Sequence, residues 1–368
     1  MSESPEDLQR IGQSIDEVLA GECHSRALHA LYDGHAEMQQ ALWRRAVELG
    51  WLGLGLPVEL GGLGLGAHGL TVLFRSLGSR AAPGPFIPTL VGAHWLAQWT
   101  EPSLAASICA RVLAGDATIA LAARLGDAAM PLAGGRLEGV SGRLLGAEDA
   151  GFAIVRVVCG SDTGFALIEL NGIEREDFPL WDRTRTMFSL TCDGVQPVAI
   201  VWDPDGMAAA HLVSLAGLVI AADSLGGARS IAEQTVEFMK TRRQFDKPIA
   251  SFQALKHRAA DMVISIEIAV QVLDQATESL GTGKAALTAI WTALAKAHAD
   301  ETFCAVADDC LQLHGAAGFS WEYDPHIFLK RALLNEALFS NKQQSRDRAA
   351  VALATATRLG QRVTDIAA

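Results

Sequence analysis

Between residues 252 and 276 apolar side chains return at a fixed interval. Phe252, Ala259, Ile266 and Leu273 recur every seven residues, with Leu255, Met262, Ala269 and Ala276 interleaved. Lys256, Arg258, Asp261, Glu267, Gln271 and Asp274 fall on the other faces. That pattern is a long amphipathic helix, and an apolar stripe of such length can be buried only against other helices, as in a bundle. Pro248 precedes the stripe and Gly281 follows it, as expected at helix boundaries. A further helix is expected from about 285 to 313, stopping at HGAAG (314–318), and another at about 226–243. The apolar run LAGLVIAA (215–222) is too short to cross a bilayer and reads as a buried helix.

Upstream the periodicity changes. AIVRVVC (153–159), FALIEL (165–170) and PVAIVW (197–202) are short β-branched and aromatic runs bounded by Gly, Asp and Asn, which predicts a small β domain. Before it, ALWRRAVELGWLGL (41–54) has helical spacing, PVELGGLGLG (57–66) reads as a glycine-rich loop, and a helix is expected over about 67–79 before a break at AAPGPFIP (81–88). The division is helical over 1–116, β over 117–205 and helical over 206–368. The fold class is α+β, with its largest core in the C-terminal helical bundle.

The chain carries a formal charge of −12, which argues against nucleic acid or an anionic membrane surface as the main partner. Six scattered cysteines without a CxxC pair, and a polar N-terminus with no signal-peptide pattern, suit a reduced, cytoplasmic setting. Gly64-Leu65-Gly66-Ala67-His68-Gly69 matches GxGxxG, but residues 70–100 contain no Asp or Glu to hold a ribose, so a plain loop is expected. No metal-ligand spacing, GxSxG elbow or P-loop motif is present.

Against that acidic background TRRQFDKPIASFQ (241–253) gathers Arg242, Arg243 and Lys247 around Phe245. Two readings fit. Cations at a helix C-terminus complement the helix dipole without any ligand. Alternatively the guanidinium of Arg242 forks onto a diphosphate, Phe245 offers an apolar plate for a base, and Gln253 supplies amide hydrogen bonds.

TRRQFDKPIASFQALKHRAADM (241–262) resembles the R-x-x-F-G-x-P-I-x-x-x-Q segment of the acyl-CoA dehydrogenase family. CLQLHGAAGFSWEYDPHIFLKR (310–331) is similar to that family's Q-x-H-G-G-x-G-F segment. LWRRAVELGWLGLGLPVELGGLGLG (42–66) and PLWDRTRT (179–186) match two further blocks in the right order. The resemblance implies an N-terminal helical domain, a central β domain and a C-terminal four-helix bundle. It also implies FAD as cofactor and α,β-dehydrogenation of an acyl-CoA thioester, with electrons passed to an electron-transferring flavoprotein. By motif position, Arg242 would contact the FAD pyrophosphate and Phe245 would pack near the adenine. Gln253 and Gln312 would hydrogen-bond the nucleotide, and Gly315 would let the backbone approach it.

The family pattern is also broken in places that matter. The two positions at which the family places its catalytic carboxylate are Ala216 and Phe339 here, and neither side chain accepts a proton. Residues 121–151 lack most of the Ser/Thr- and Gly-rich material and the Trp-x-Thr/Ser segment that face the flavin ring. Asp246 and Ala316 replace two glycines of the motifs. This combination resembles the smaller, base-less subunit of heteromeric (α2β2) actinobacterial acyl-CoA dehydrogenases of steroid side-chain catabolism. The implied partner is a second family subunit carrying the carboxylate, sharing FAD across the interface. Two alternatives stand beside it: a homo-oligomeric dehydrogenase with a displaced base such as Glu336, and a non-catalytic scaffold that binds no flavin.

Overall fold

A computed structural model describes residues 4–124, 126–147 and 149–363; Leu125 and Glu148, which belong to the 121–151 stretch, and both chain ends lie outside the described residues. The chain opens with α1 (Pro5–Glu22), α2 (Ser25–Tyr32), α3 (Glu37–Glu48), α4 (Gly66–Ser79), α5 (Phe86–Trp99) and α6 (Pro102–Leu113). Local chemistry sets their ends. In α1 the Ser4 hydroxyl accepts from the Asp7 N–H, Pro5 occupies the first turn, and Glu6 and Asp7 face the positive end of the helix dipole. The glycine-rich loop runs into α4 as expected, and its GxGxxG match adjoins no strand. The break at 81–88 is shorter than the composition suggested, because α5 already begins at Phe86.

Among the described residues nine strands follow: β1 (Ile119–Ala122), β2 (Met130–Ala133), β3 (Arg136–Val140), β4 (Leu144–Leu145), β5 (Phe152–Cys159), β6 (Asp162–Glu169), β7 (Glu174–Phe178), β8 (Met187–Val195) and β9 (Ala199–Trp202). The three runs read from sequence are β5, β6 and β9. The pairing β1-β4-β8-β3-β2-β5 returns to β1 through a parallel β1–β5 ladder, so the sheet closes on itself. Leu137, Val155, Val157, Ile168, Phe188 and Leu190 fill the interior. The stretch 121–151, expected to have lost flavin-facing material, still supplies strands β2, β3 and β4 and the end of β1 to that closure. Their sequence signal is weak because Pro131 and Gly139 interrupt them.

The C-terminal part contains α7 (Met207–Thr241), the hairpin strands β10 (Arg243–Gln244) and β11 (Lys247–Pro248), α8 (Gln253–Leu280), α9 (Ala285–His314), α10 (Pro325–Ala337) and α11 (Lys342–Arg358). The helix expected over 226–243 is much longer and takes in LAGLVIAA. Its most apolar window is 83 % buried, so its composition is that of a core helix packed on several sides. α4 crosses α7 at a reciprocal glycine contact: a Cβ at Gly78 would stand 2.0 Å from the Asp223 carbonyl oxygen, and one at Gly226 2.0 Å from that of Arg75. Only glycine permits so close an approach.

A buried charge cluster joins the three parts. The Arg331 guanidinium donates to both oxygens of Asp223, to the Thr184 hydroxyl at 2.9 Å and to the Ala82 carbonyl at 3.0 Å. Arg185, just before β8, donates to Asp223 at 2.9 Å and to the Asn335 side chain. Lys296 of α9 pairs with Asp300 and donates to the carbonyls of Asn335 (2.9 Å) and Ser340 (3.0 Å). Burial pushes the Asp223 carboxyl up, but Arg331 and Arg185 together outweigh it and hold it at about 2.

Candidate functional site

Antiparallel packing of α7, α8 and α9 brings the end of the first, the start of the second and the end of the third to one end of the bundle. An aromatic stack and an ion pair fasten them there. Phe238 of α7 stacks on His314 of α9 at 4.2 Å between ring centroids, and Tyr323 packs edge-on against both. Arg258 of α8 pairs with Asp309 of α9. His314 donates its Nδ1–H to the Cys310 carbonyl at 2.8 Å, and burial pulls its pKa down against that hydrogen bond.

Arg242 caps α7 with extended backbone, its N–H bonded to the Phe238 carbonyl at 2.8 Å. The β10–β11 hairpin then turns on Phe245 and Asp246, whose φ values of 51° and 62° are both left-handed. Two positive φ angles in a two-residue loop define the turn that matches strand twist, and glycine or asparagine usually occupies it. Phenylalanine there costs about 1–2 kcal/mol. What the strain achieves is display: the Phe245 ring is 84 % exposed and touches Phe252 edge-on. Arg243 donates to the Asp246 carbonyl at 2.5 Å, and Lys247 stands over the Phe252 ring at 4.5 Å. Two of the three cations therefore hold the hairpin itself. Among the described residues Arg242 alone of the three has neither a hydrogen bond, an ion pair nor a ring contact from its side chain.

Gln253, the first residue of α8, and Gln312, in the last turn of α9, are exposed. Gly315 ends α9 at φ 58° and ψ −138°, a conformation open to glycine, and a Cβ there would meet open space. The structure thus gathers Arg242, Phe245, Gln253, Gln312 and Gly315 at one end of the bundle. The Phe238–His314–Tyr323 stack behind them has no local sequence signal, since its members come from distant segments.

The two family base positions lie elsewhere. Ala216, in α7, is 0 % exposed, and α5 is pinned along the first turns of that helix by hydrogen bonds from Trp95 Nε1 to the Ala208 carbonyl and Trp99 Nε1 to His211, both 2.9 Å. Phe339 is 5 % exposed at φ 60°, and its N–H donates to the Ala123 carbonyl at 2.6 Å, tying the turn after α10 to the end of β1. Glu336 lies beside α9 and α11, 3.9 Å from Cys304 Sγ and from Lys342 Nζ. Asp223 is held ionised at about 2, far below the range useful to a general base at neutral pH. Burial pushes Asp300 up, opposed by Lys296, but that carboxylate is spent on Lys296 and the Ser224 hydroxyl.

Residues 5–116 match the family model for the acyl-CoA dehydrogenase N-terminal domain, and residues 208–339 match the model for the C-terminal domain. The chain belongs to the acyl-CoA dehydrogenase family. It is 28 % identical over 335 residues to acyl-CoA dehydrogenase IpdE2 of Mycobacterium tuberculosis (strain ATCC 25618 / H37Rv), spanning 89 % of this chain and 91 % of that one. Two solved structures share its fold with TM-scores of 0.86 at 24 % identity, each covering 96 % of this chain and 99 % of the other. One is the ChsE4-ChsE5 complex from Mycobacterium tuberculosis and the other a variant of the Tcur3481-Tcur3483 steroid ACAD. Acyl-CoA dehydrogenases of the same fold have been solved with FAD or FADH2. The residues present fit that cofactor unevenly. An uncommitted guanidinium, a displayed aromatic ring and two exposed amides suit a dinucleotide tail. On the other side, the direct Ala123–Phe339 hydrogen bond and the methyl and phenyl groups at the base positions offer neither a proton acceptor nor polar partners for a flavin ring.

Proposed function

We propose that this acyl-CoA dehydrogenase is one half of a heteromeric enzyme. It grips the adenosine-diphosphate end of an FAD whose ring, and whose catalytic carboxylate, belong to a second subunit of the same family. The assembly, an α2β2 heterotetramer in the cytoplasm, introduces an α,β double bond into an acyl-CoA thioester and passes the electrons to an electron-transferring flavoprotein. The observation that carries this reading is the contrast between the open corner at Arg242 and the two base positions, buried at 0 and 5 % exposure with alanine and phenylalanine in place. Abstraction of an α-proton requires an acceptor within hydrogen-bond reach of the carbon acid. FAD, when bound, supplies the acceptor for the β-hydrogen as hydride.

Each residue of this chain then has a positional task. Arg242 forks onto the pyrophosphate, Phe245 lies against the adenine end, Gln253 and Gln312 hydrogen-bond the nucleotide, and Gly315 leaves room for the chain beside it. Similarity to a protein pair described as a complex, and to one described as a steroid ACAD, supports a partner subunit and a bulky steroid side-chain thioester as substrate class.

The test is co-expression with a family member that retains a carboxylate, followed by flavin counting and acyl-CoA oxidation. Arg242→Ala is expected to lower FAD occupancy of the complex at least tenfold at limiting FAD. A yellow, active homomer of this chain alone, or unchanged flavin in the Arg242→Ala complex, refutes the reading.

A further inference from the structure

A cleft of about 1140 Å³ opens between α1, α4, the middle of α7 and the C-terminal half of α8, and no residue of the Arg242 corner lines it. Its floor is apolar, formed by Leu225, Val270 and Phe328. Arg75 of α4 and Arg80, the residue that caps that helix, line it, both half-buried. Neither side chain has a hydrogen bond or an ion pair among the described residues. That is unusual in a chain with 42 acidic and 30 basic residues, where carboxylate partners outnumber guanidinium groups. A half-buried cation without a hydrogen-bonded partner leaves its N–H donors available to an incoming anion.

The obvious partner stands across the gap and does not reach. Burial pushes the Asp274 carboxyl of α8 up, and Arg75 offsets this only in part. The two make no ion pair among the described residues. The Gly78–Gly226 contact sets how α4 lies on α7, and the hydroxyls of Thr71 and Thr277, 2.9 Å apart, link α4 to α8. Of the other charges lining the cleft, His68 pairs with Glu278 at 3.1 Å, Arg229 with Glu267 at 2.6 Å and Asp324 with His29 at 2.9 Å, while Asp16 and Glu233 add acidic charge.

We infer that this cleft is a second binding site, for an amphipathic organic monoanion: a carboxylate head on Arg75 and Arg80, and an apolar body along Leu225, Val270 and Phe328. The volume, somewhat above the ordinary range of small-molecule pockets, leaves room for a medium-chain or polycyclic carboxylic acid. The acidic residues of the lining, Asp16, Glu233, Asp274 and Glu278, set the charge, since a doubly ionised phosphate meets more repulsion there than a single carboxylate does. The site is separate from the nucleotide corner and does not depend on the function proposed for it.

Isothermal titration calorimetry with decanoate and, separately, inorganic phosphate tests this, on the chain alone and on its complex with the partner subunit. Saturable one-site decanoate binding without phosphate binding is expected. Arg75→Met with Arg80→Met should weaken it at least tenfold, Arg75→Lys should weaken it by less, and Arg242→Ala should leave it unchanged. Arg75 and Arg80 are half-buried, and each variant is checked for native circular dichroism. No saturable decanoate binding, equal binding by the Met variants, or phosphate bound as tightly as decanoate overturns the assignment. So does decanoate binding that vanishes in the complex, which would make the cleft a protein interface.

Discussion

Replacing Asp223 by Asn isolates the charge that holds the three parts of the chain together. The carboxylate is 0 % exposed and accepts from Arg331, Arg185 and Asn335. Its native pKa of about 2 lies below the ordinary aspartate value of 3.8. The folded state therefore binds fewer protons than the unfolded chain between those values. The stabilisation is fully present above about pH 4 to 5 and is lost as pH falls towards 2, with a span of about 2 kcal/mol. Substitution should cost more than protonation alone suggests. It leaves two buried guanidinium groups facing each other, and breaking one side of a buried ion pair typically costs about 3–5 kcal/mol. Urea denaturation at pH 7, followed by circular dichroism, should show a loss in that range, and the variant should lose stability less steeply than the parent between pH 5 and pH 3. Adding Arg331→Met to Asp223→Asn should recover part of the loss. A drop below about 1 kcal/mol, or an unchanged acid limb, would refute the view that Asp223 works as a paired anion.

Phe245→Gly should relieve left-handed strain and raise stability by about 1 kcal/mol, while lowering flavin retention in the complex; stability and flavin are read by denaturation and absorbance. Gly78→Ala places a methyl group against the Asp223 carbonyl and should cost at least about 2 kcal/mol in the same denaturation assay. Native thiol titration with an aromatic disulfide should modify Cys159 first, because it is exposed. Burial pushes Cys23, Cys304 and Cys310 up to about 12 and Cys109 to about 11, so these should react only on unfolding.

What residue order alone determined was local. The seven-residue return of Phe252, Ala259, Ile266 and Leu273 specifies a helix wherever it is placed, and α8 and α9 begin and end within a residue or two of the expected limits. The runs that became β5, β6 and β9 are legible for the same reason: short β-branched and aromatic runs between turn residues are a short-range signal. The resemblance to the family motifs likewise points to Arg242, Phe245, Gln253, Gln312 and Gly315, and places Ala216 and Phe339, neither able to accept a proton, at the expected base positions.

Tertiary structure decided everything that depends on distant partners. Closure of the barrel through β1–β5 recruits β2, β3 and β4, whose own sequences are weak strand formers rescued by pairing. The same holds for the Phe238–His314 stack, the side of α10 on which Glu336 lies, and the Asp223 cluster joining residues 38 to 249 positions apart. Periodicity is written between neighbours along the chain. Which cation keeps a partner and which is left facing a cleft is settled only when helices pack, because burial and charge pairing are properties of the assembled surfaces.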